Sequence, residues 1–383
     1  MINLETPLAQ EIVQRTMQII PFNVNVMDVR GVILGSGNPS RIGELHAGAR
    51  LALAQSRAVE LDTALTRTLQ GGQPGVNLPL TVRGQPCGVV GITGNPDEVR
   101  QFGELVRVMA EMILEQAQLV SELQHEKRYR EEFVDQLIKQ GATSSADLEI
   151  WGNRLGVDFR IPRSAIVLEL VDEAVSPDFA MAELQRCQQQ LARYDPELLM
   201  AAVSPRELVI LKAFAPPEEE RNLTGFAQEL LFALDSAARQ GLKTPAALSL
   251  GVALAGIEGV PLSYQCAKRT FRVGRMRNRL TRLFSYYDLS FPVLLSGLGT
   301  GWQAQQLLQP LKRLQNRDRR SGSLRRTIAT WFSEDCQADR TARKLGIHRN
   351  TLDYRLRQIS EITGLDLGRM DDRLMLYAAL QLE

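Results

Sequence analysis

The chain has 383 residues, more than twice the ~150 of a typical domain, so two or three domains are expected. Hydrophobic residues make up 44% and charged residues 23%, the balance of a folded chain rather than a disordered one. The four cysteines lie far apart with no CxxC, and none of the three histidines is near another. Neither a disulfide scaffold, nor a metal site, nor a bound cofactor is therefore expected. No run approaches the ~20 apolar residues of a membrane span, and the N-terminus has an early acid and no basic stretch. The expectation is a cytoplasmic protein without a membrane partner.

Residues 1–20 read as an amphipathic helix, with Leu8, Ile12, Met17, Ile19 and Ile20 near helical spacing. After Pro21 the pattern turns to strands at 24–27 and 32–34, joined by a D-x-x-G turn at 28–31. Residues 77–80 and 87–94 read as further strands. Helix, hairpin, helices and two more strands predict a compact α+β sensor of the PAS-like kind over residues 1–118.

The loop at 35–49 is rich in glycine but does not make a nucleotide site. Ser40 stands where G-x-G-x-x-G needs its last glycine, and no GK[ST] occurs in the chain. What the loop offers is Ser36, Arg41 and His46, with backbone amides around Gly35, Gly37 and Gly43. An arginine can clamp a carboxylate through two parallel hydrogen bonds, and amides beside glycines can complete the acceptor shell. Asn77 adds a side-chain amide from the next strand. Taken alone, Arg41 reads equally as a surface residue, and His46 as a helix cap or a core histidine.

From about 101 to 140 the sequence favours helix, and residues 119–140 are expected to connect the sensor to the central domain. A 4-3 alternation begun at Leu105 passes through Met109, Met112, Gln116, Leu119 and Leu123, then Glu126 and Arg130, and ends on Phe133 and Leu137. Seven of these ten are apolar, and the polar three interrupt any long coiled coil. Self-association and burial against its own domain are equal readings.

Residues 141–290 alternate strand-like runs (164–170, 199–203, 208–211, 247–253) with helical ones (179–194, 218–240, 263–276), which predicts an α/β or α+β domain.

The last stretch, 291–383, carries the charge asymmetry. Between residues 312 and 357 there are 13 Lys/Arg against five Asp/Glu, a balance of +8 in a chain whose net charge is +1. Clustered cations suit phosphate neutralisation, although a solvated basic helix face would produce the same sum. Spacing decides between them. A helix over 323–336 is followed by a short one at 338–345 with the small Ala342, a tight turn at Gly346, the apolar plug Ile347, and a second helix to about Thr363. That order is a helix-turn-helix. Leu352, Leu356 and Ile359 share the buried face, and the opposite face presents Asn350, Tyr354 and Arg357 with Thr351 on its flank. Arg349 and Arg355 lie nearer the buried side, within reach of phosphates. Such a face can hydrogen-bond base edges in a major groove of double-stranded DNA. Residues 312–320 read as a charged connection into this domain.

The run IHRNTLDYRL (347–356), with DDRLMLYAALQL downstream of it, resembles the C-terminal DNA-binding domain of the PucR/sugar-diacid family of bacterial transcription regulators. IVQRTMQIIPFNVNVMD, SGNPSRIGELHAGA, GVNLPL and GVVGITG are similar to that family's sugar-diacid recognition domain, over about residues 4–118. SLGVALAGIEGVPLSYQCAKRTFRVGRM resembles the later part of a GGDEF-like domain, but Ser204-Pro205-Arg206-Glu207-Leu208 replaces the glycine-acid hairpin of an active cyclase. The resemblance implies a transcriptional activator of glucarate and galactarate uptake and metabolism, with glycerate a further candidate. It implies a small sugar diacid effector, a homo-oligomer and RNA polymerase as partners, and no catalytic residue. In place of a regulator, a nucleotide-acting enzyme with an appended DNA-binding module is the main alternative. A constitutive DNA-binding protein with a scaffolding N-terminus is another.

Overall fold

The computed structural model describes residues 4–66, 73–139, 144–216, 222–299, 301–318 and 322–382. The chain forms two compact units, Met1–Arg128 and Tyr129–Glu383.

The first unit opens with α1 (Thr6–Met17), whose Pro7 occupies the first turn, where its missing N–H costs nothing. The hairpin β1 (Asn23–Met27) and β2 (Ile33–Ser36) comes next. Its turn is organised by Asp28, whose carboxylate accepts from the Arg30 and Val32 amides at 2.9 Å each, while Gly31 takes a φ of +81°. Then come α2 (Ala47–Gln55), β3 (Val59–Leu61), α3 (Thr63–Thr66), β4 (Gly75–Val82), β5 (Gln85–Thr93) and α4 (Pro96–Ile138). The five strands form one antiparallel sheet in the order β2-β1-β5-β4-β3.

Period-two alternation gives this sheet two unlike faces. Val24, Val26, Leu78, Leu80, Val90 and Ile92 are buried against Ile12 and Val13 of α1 and Val106, Ala110 and Leu114 of α4. The opposite face packs Met27, Ile33 and Val89 against Ala49 and Ala52 of α2. The strand β3 was not expected. Its three residues are too few to show a period, and it is held by pairing with β4. The expected boundary at 118 falls inside α4, a single helix of 43 residues.

The second unit begins with the end of α4 and α5 (Ser145–Arg154), capped by Ser144. The order β6 (Arg163–Leu170), α6 (Pro177–Tyr194), β7 (Leu199–Ser204), β8 (Glu207–Ala213), α7 (Leu223–Arg239), β9 (Ala246–Leu250), α8 (Gly259–Arg277), β10 (Leu283–Ser285) builds a sheet ordered β10-β9-β6-β8-β7. Helices α6 and α7 cover one face and α5, α8 and the end of α4 the other, around two apolar clusters. The strand β10, only three residues long, was not expected; it runs parallel to β9. The start of the expected 218–240 helix lies outside the described residues.

The chain then passes through α9 (Ser290–Ser296) and α10 (Trp302–Arg317) to α11 (Ser323–Ser333), α12 (Ala338–Leu345), α13 (Arg349–Thr363) and α14 (Met370–Leu382). The expected connection at 312–320 is corrected here. Up to Arg317 it is the end of α10, because Leu311 and Leu314 are buried in the core formed with Leu324, Ile328, Trp331, Ile359 and Leu376. Residues 319–321 lie outside the described residues.

Candidate ligand site and nucleic-acid interface

The α2-facing side of the first sheet carries a polar row. Cross-strand register aligns Ser36 of β2, Asn25 of β1, Gly91 of β5 and Asn77 of β4 in one line. Ser36, Asn25 and Asn77 are all buried. The Ser36 hydroxyl donates to Asn25 Oδ1 at 2.6 Å and accepts from the Asn38 amide at 3.0 Å, while Asn25 Nδ2 donates to Thr93 Oγ1 at 3.2 Å. Asn77 is different: its Oδ1 is buried without a hydrogen-bond partner among the described residues. A buried, unpaired amide acceptor costs about 1–3 kcal/mol and is uncommon in a native interior. Glycines hold it there. A Cβ on Gly48 of α2 would stand 2.6 Å from Asn77 Nδ2, and one on Gly91 would stand 2.9 Å from Asn77 Oδ1.

His46 is the N-cap of α2, and its Nδ1 accepts from the Ala49 amide at 3.2 Å. Burial, and after it the neighbouring Arg41 charge, push its pKa down to about 4 against the pull of Glu44. At neutral pH the ring is uncharged, and with Nδ1 accepting, the proton sits on Nε2. His46 is therefore both a cap and a neutral donor at the positive end of a helix.

Arg41 ends the 3-10 turn Pro39–Arg41 and is buried. Its Nε meets Glu44 at 3.3 Å and its Nη1 meets Gln73 at 3.1 Å. A buried guanidinium must be paired, and Glu44, itself about half exposed, is a carboxylate that pairs it. The Gly43 amide donates to Ile33 O at 2.8 Å and the Gly37 amide to Val24 O at 3.1 Å. Those two amides thus serve the hairpin, as does Ser36. Asn25, Glu44 and Gln73 were absent from the expected set; for Asn25 the signal was its place between Val24 and Val26, which turns it away from the apolar face.

In the C-terminal domain, Gly346 closes α12 with a φ of +65°, and the Ile347 amide returns to Ala342 O at 3.0 Å. His348 caps α13, its Nδ1 accepting from the Asn350 amide at 3.2 Å. Leu352 and Ile359 are buried, and Asn350, Thr351, Tyr354 and Arg357 are exposed, as the helical period required. Tyr354 Oη accepts from Gln358 Nε2 at 3.1 Å, which adds Gln358 to this face. Arg349 is exposed and paired with Asp339 at 3.3 Å. Arg355 is half-buried, and its Nη1 donates to Thr327 of α11 at 3.2 Å, so it ties α13 to the helix behind it.

Comparisons with known proteins agree with this arrangement. Residues 4–137 match a family profile described as "Putative sugar diacid recognition", residues 140–273 a GGDEF-like domain, and residues 324–382 the PucR C-terminal helix-turn-helix domain. The chain is 45% identical over 385 residues to the carbohydrate diacid regulator of Escherichia coli, covering 100% of this chain and 98% of that one. It is 34% identical to an uncharacterised protein of Haemophilus influenzae, covering 99% of each. A further match, 41% identical over 73 residues, is to the transcriptional activator PmfR of Paenarthrobacter nicotinovorans, covering 19% of this chain and 16% of that one. The matched domains, with a recognition helix displayed on the outside of its core, make the chain a multidomain DNA-binding transcription regulator. It belongs to the carbohydrate diacid regulator family.

Proposed function

We propose that a sugar diacid binds beneath α2 in the first unit and changes how the regulator engages DNA at genes for sugar diacid uptake and metabolism. The observation that carries the proposal is the buried Asn77 Oδ1, without a partner among the described residues, in a row of polar side chains against the start of α2, whose cap is the neutral donor His46 next to the charge of the buried Arg41. A polyhydroxylated dicarboxylate supplies what that row lacks. A hydroxyl donates to Asn77, and a carboxylate takes the place of Glu44 on Arg41 and accepts from His46 Nε2. Ser36 and Gly43 act through the hairpin rather than on the ligand. The antiparallel order β2-β1-β5-β4-β3, with helices inserted between β2 and β4, supports a PAS-like sensor over residues 1–118, with 119–140 connecting it to the rest.

On the DNA side, Asn350, Thr351, Tyr354 and Arg357 read base edges. Arg349 reaches a phosphate by releasing Asp339, and Arg355 positions the helix. The central domain, residues 141–290, relays rather than catalyses. In the β7–β8 hairpin the acid Glu207 accepts from Tyr264 Oη at 2.7 Å and pairs with Lys268, and no glycine opens the turn to phosphates. The C-terminal domain, residues 291–383, acts in the cytoplasm as part of a homo-oligomer that contacts RNA polymerase as an activator. Glucarate and galactarate are the effectors of choice, while glycerate, a monoacid, satisfies one end only. Calorimetry of the three acids against the full-length chain tests this: saturable heat with the diacids, lost in Arg41→Ala, is expected. No heat with any of them would remove the sensor reading.

A further inference from the structure

The helix α4 has two apolar faces, and among the described residues only one is buried within its own unit. Val99, Val106, Ala110 and Leu114 are fully buried against the sheet. About 120° round the helix, at ~100° per residue, runs a second line: Leu105, Met109, Met112, Gln116, Leu119 and Leu123. Their spacing alternates four and three, the seam of a coiled coil. Leu105 and Leu119 are each 50% exposed, Met112 64% and Leu123 66%. With Val108 and Val120 beside them, roughly 600 Å² of apolar-residue surface faces solvent, at the upper end of what a monomer carries as one patch.

A second observation comes from the same helix. Every residue from 119 to 128 is exposed, Glu122 with its Arg83 partner among them. Exposure of this part of the 43-residue α4 deprives it of the tertiary packing from which most helical stability in proteins comes. The apolar residues that would stabilise it, Leu119, Val120 and Leu123, continue the exposed seam.

We infer that this seam pairs with the same seam of a second copy of the chain, in parallel and in register, through α4. Charge and polarity select that occupant and that orientation. On one flank of the seam lie Ile113 and Val120, and on the other Val108, Glu115 and Glu122. A parallel pair sets the first flank of one helix against the second flank of its partner, so no like charges meet. An antiparallel pair would set glutamates against glutamates. Glu122 is moreover held in place by Arg83 at 3.0 and 3.3 Å. Gln116 is the one polar residue in the seam. Its side chain finds a partner there only when it faces its own counterpart, which fixes the register as a buried amide does in two-stranded coils.

The purpose of the pair rests on the regulator reading above: two sensors joined at α4 would bring two recognition helices to paired half-sites. Its test involves neither effector nor DNA, so a failure of that reading and a failure of this one are distinguishable. Sedimentation equilibrium of the full-length chain is expected to give a dimer. Met112→Glu with Leu119→Glu is expected to weaken it by at least about 100-fold, because buried unpaired carboxylates are costly. The far-ultraviolet circular dichroism should change by no more than fraying of residues 119–128 allows, since both side chains are exposed in the single chain. Independently, Gln116→Cys should give a covalent dimer on mild oxidation that the parent chain does not, whereas Gln124→Cys, off the seam, should not. A monomeric parent, a dimer untouched by the glutamates, or equal crosslinking at 116 and 124 would each overturn the inference.

Discussion

Acidification tests the environment of His46 directly. An unfolded histidine titrates near 6.5, whereas burial and the neighbouring Arg41 push His46 down to about 4 in the folded sensor. The folded pKa lies below the unfolded one, so the unfolded state takes up its proton first as pH falls. Folded stability is then undiminished above about pH 6.5 and is lost progressively between 6.5 and 4. A gap of about 2.5 units corresponds to about 2 kcal/mol lost by pH 5 and about 3 kcal/mol by pH 4. His46→Asn keeps a side-chain oxygen at the N-cap and removes the titration. Hydrogen exchange of the β1 and β5 amides in the full-length chain, compared with the variant at pH 7 and pH 5, isolates the effect. The parent should lose about 2 kcal/mol of protection relative to the variant over that interval. A histidine resonance, absent from the variant, should titrate near 4. Titration between 6 and 7, or equal losses in both chains, would refute the buried, neutral His46.

Four substitutions test the rest of the account. Asn350→Ala and Arg357→Ala should each weaken operator binding by about 1–3 kcal/mol and relax preference at one base position, measured by fluorescence anisotropy on a set of single-base variants. Arg355→Ala should instead lower the thermal stability of the C-terminal domain by about 1 kcal/mol, as loss of its bond to Thr327 requires, and leave sequence preference unchanged. Gly91→Ala would place a methyl 2.9 Å from Asn77 Oδ1 and 3.3 Å from Met27 Cε. It should weaken diacid binding in calorimetry while DNA affinity without effector stays the same.

Much of this architecture was legible because periodicity and turn chemistry act locally. The Asp28–Gly31 turn, the strands around it, and the Ala342, Gly346 and Ile347 signature are each set by residues close in sequence. The face of α13 followed from Leu352, Leu356 and Ile359. The short strands β3 and β10 did not show, because three residues carry no period and pairing with a distant neighbour creates them. Arg41 and His46 could be named from the sequence, but their state could not. Glu44 and Gln73 around Arg41, and the cap that fixes the His46 tautomer, exist only once the hairpin and α2 are folded. The row from Ser36 to Asn77 was hidden for a similar reason: register across three strand pairs assembles it. Arg355 shows the converse: its reach toward phosphates was read from helical geometry, and its bond to Thr327, 28 residues earlier, shows only in the folded domain.

The central claim is that a sugar diacid, sensed in the first unit, controls DNA binding by the last. The most direct measurement is the affinity of the full-length chain for an operator selected from random DNA, at fixed salt, with and without saturating glucarate or galactarate. The account predicts a change of about tenfold or more in the parent chain, and no change in Arg41→Ala, whose affinity without effector should match the parent. A parent chain whose DNA affinity is indifferent to every diacid would contradict it.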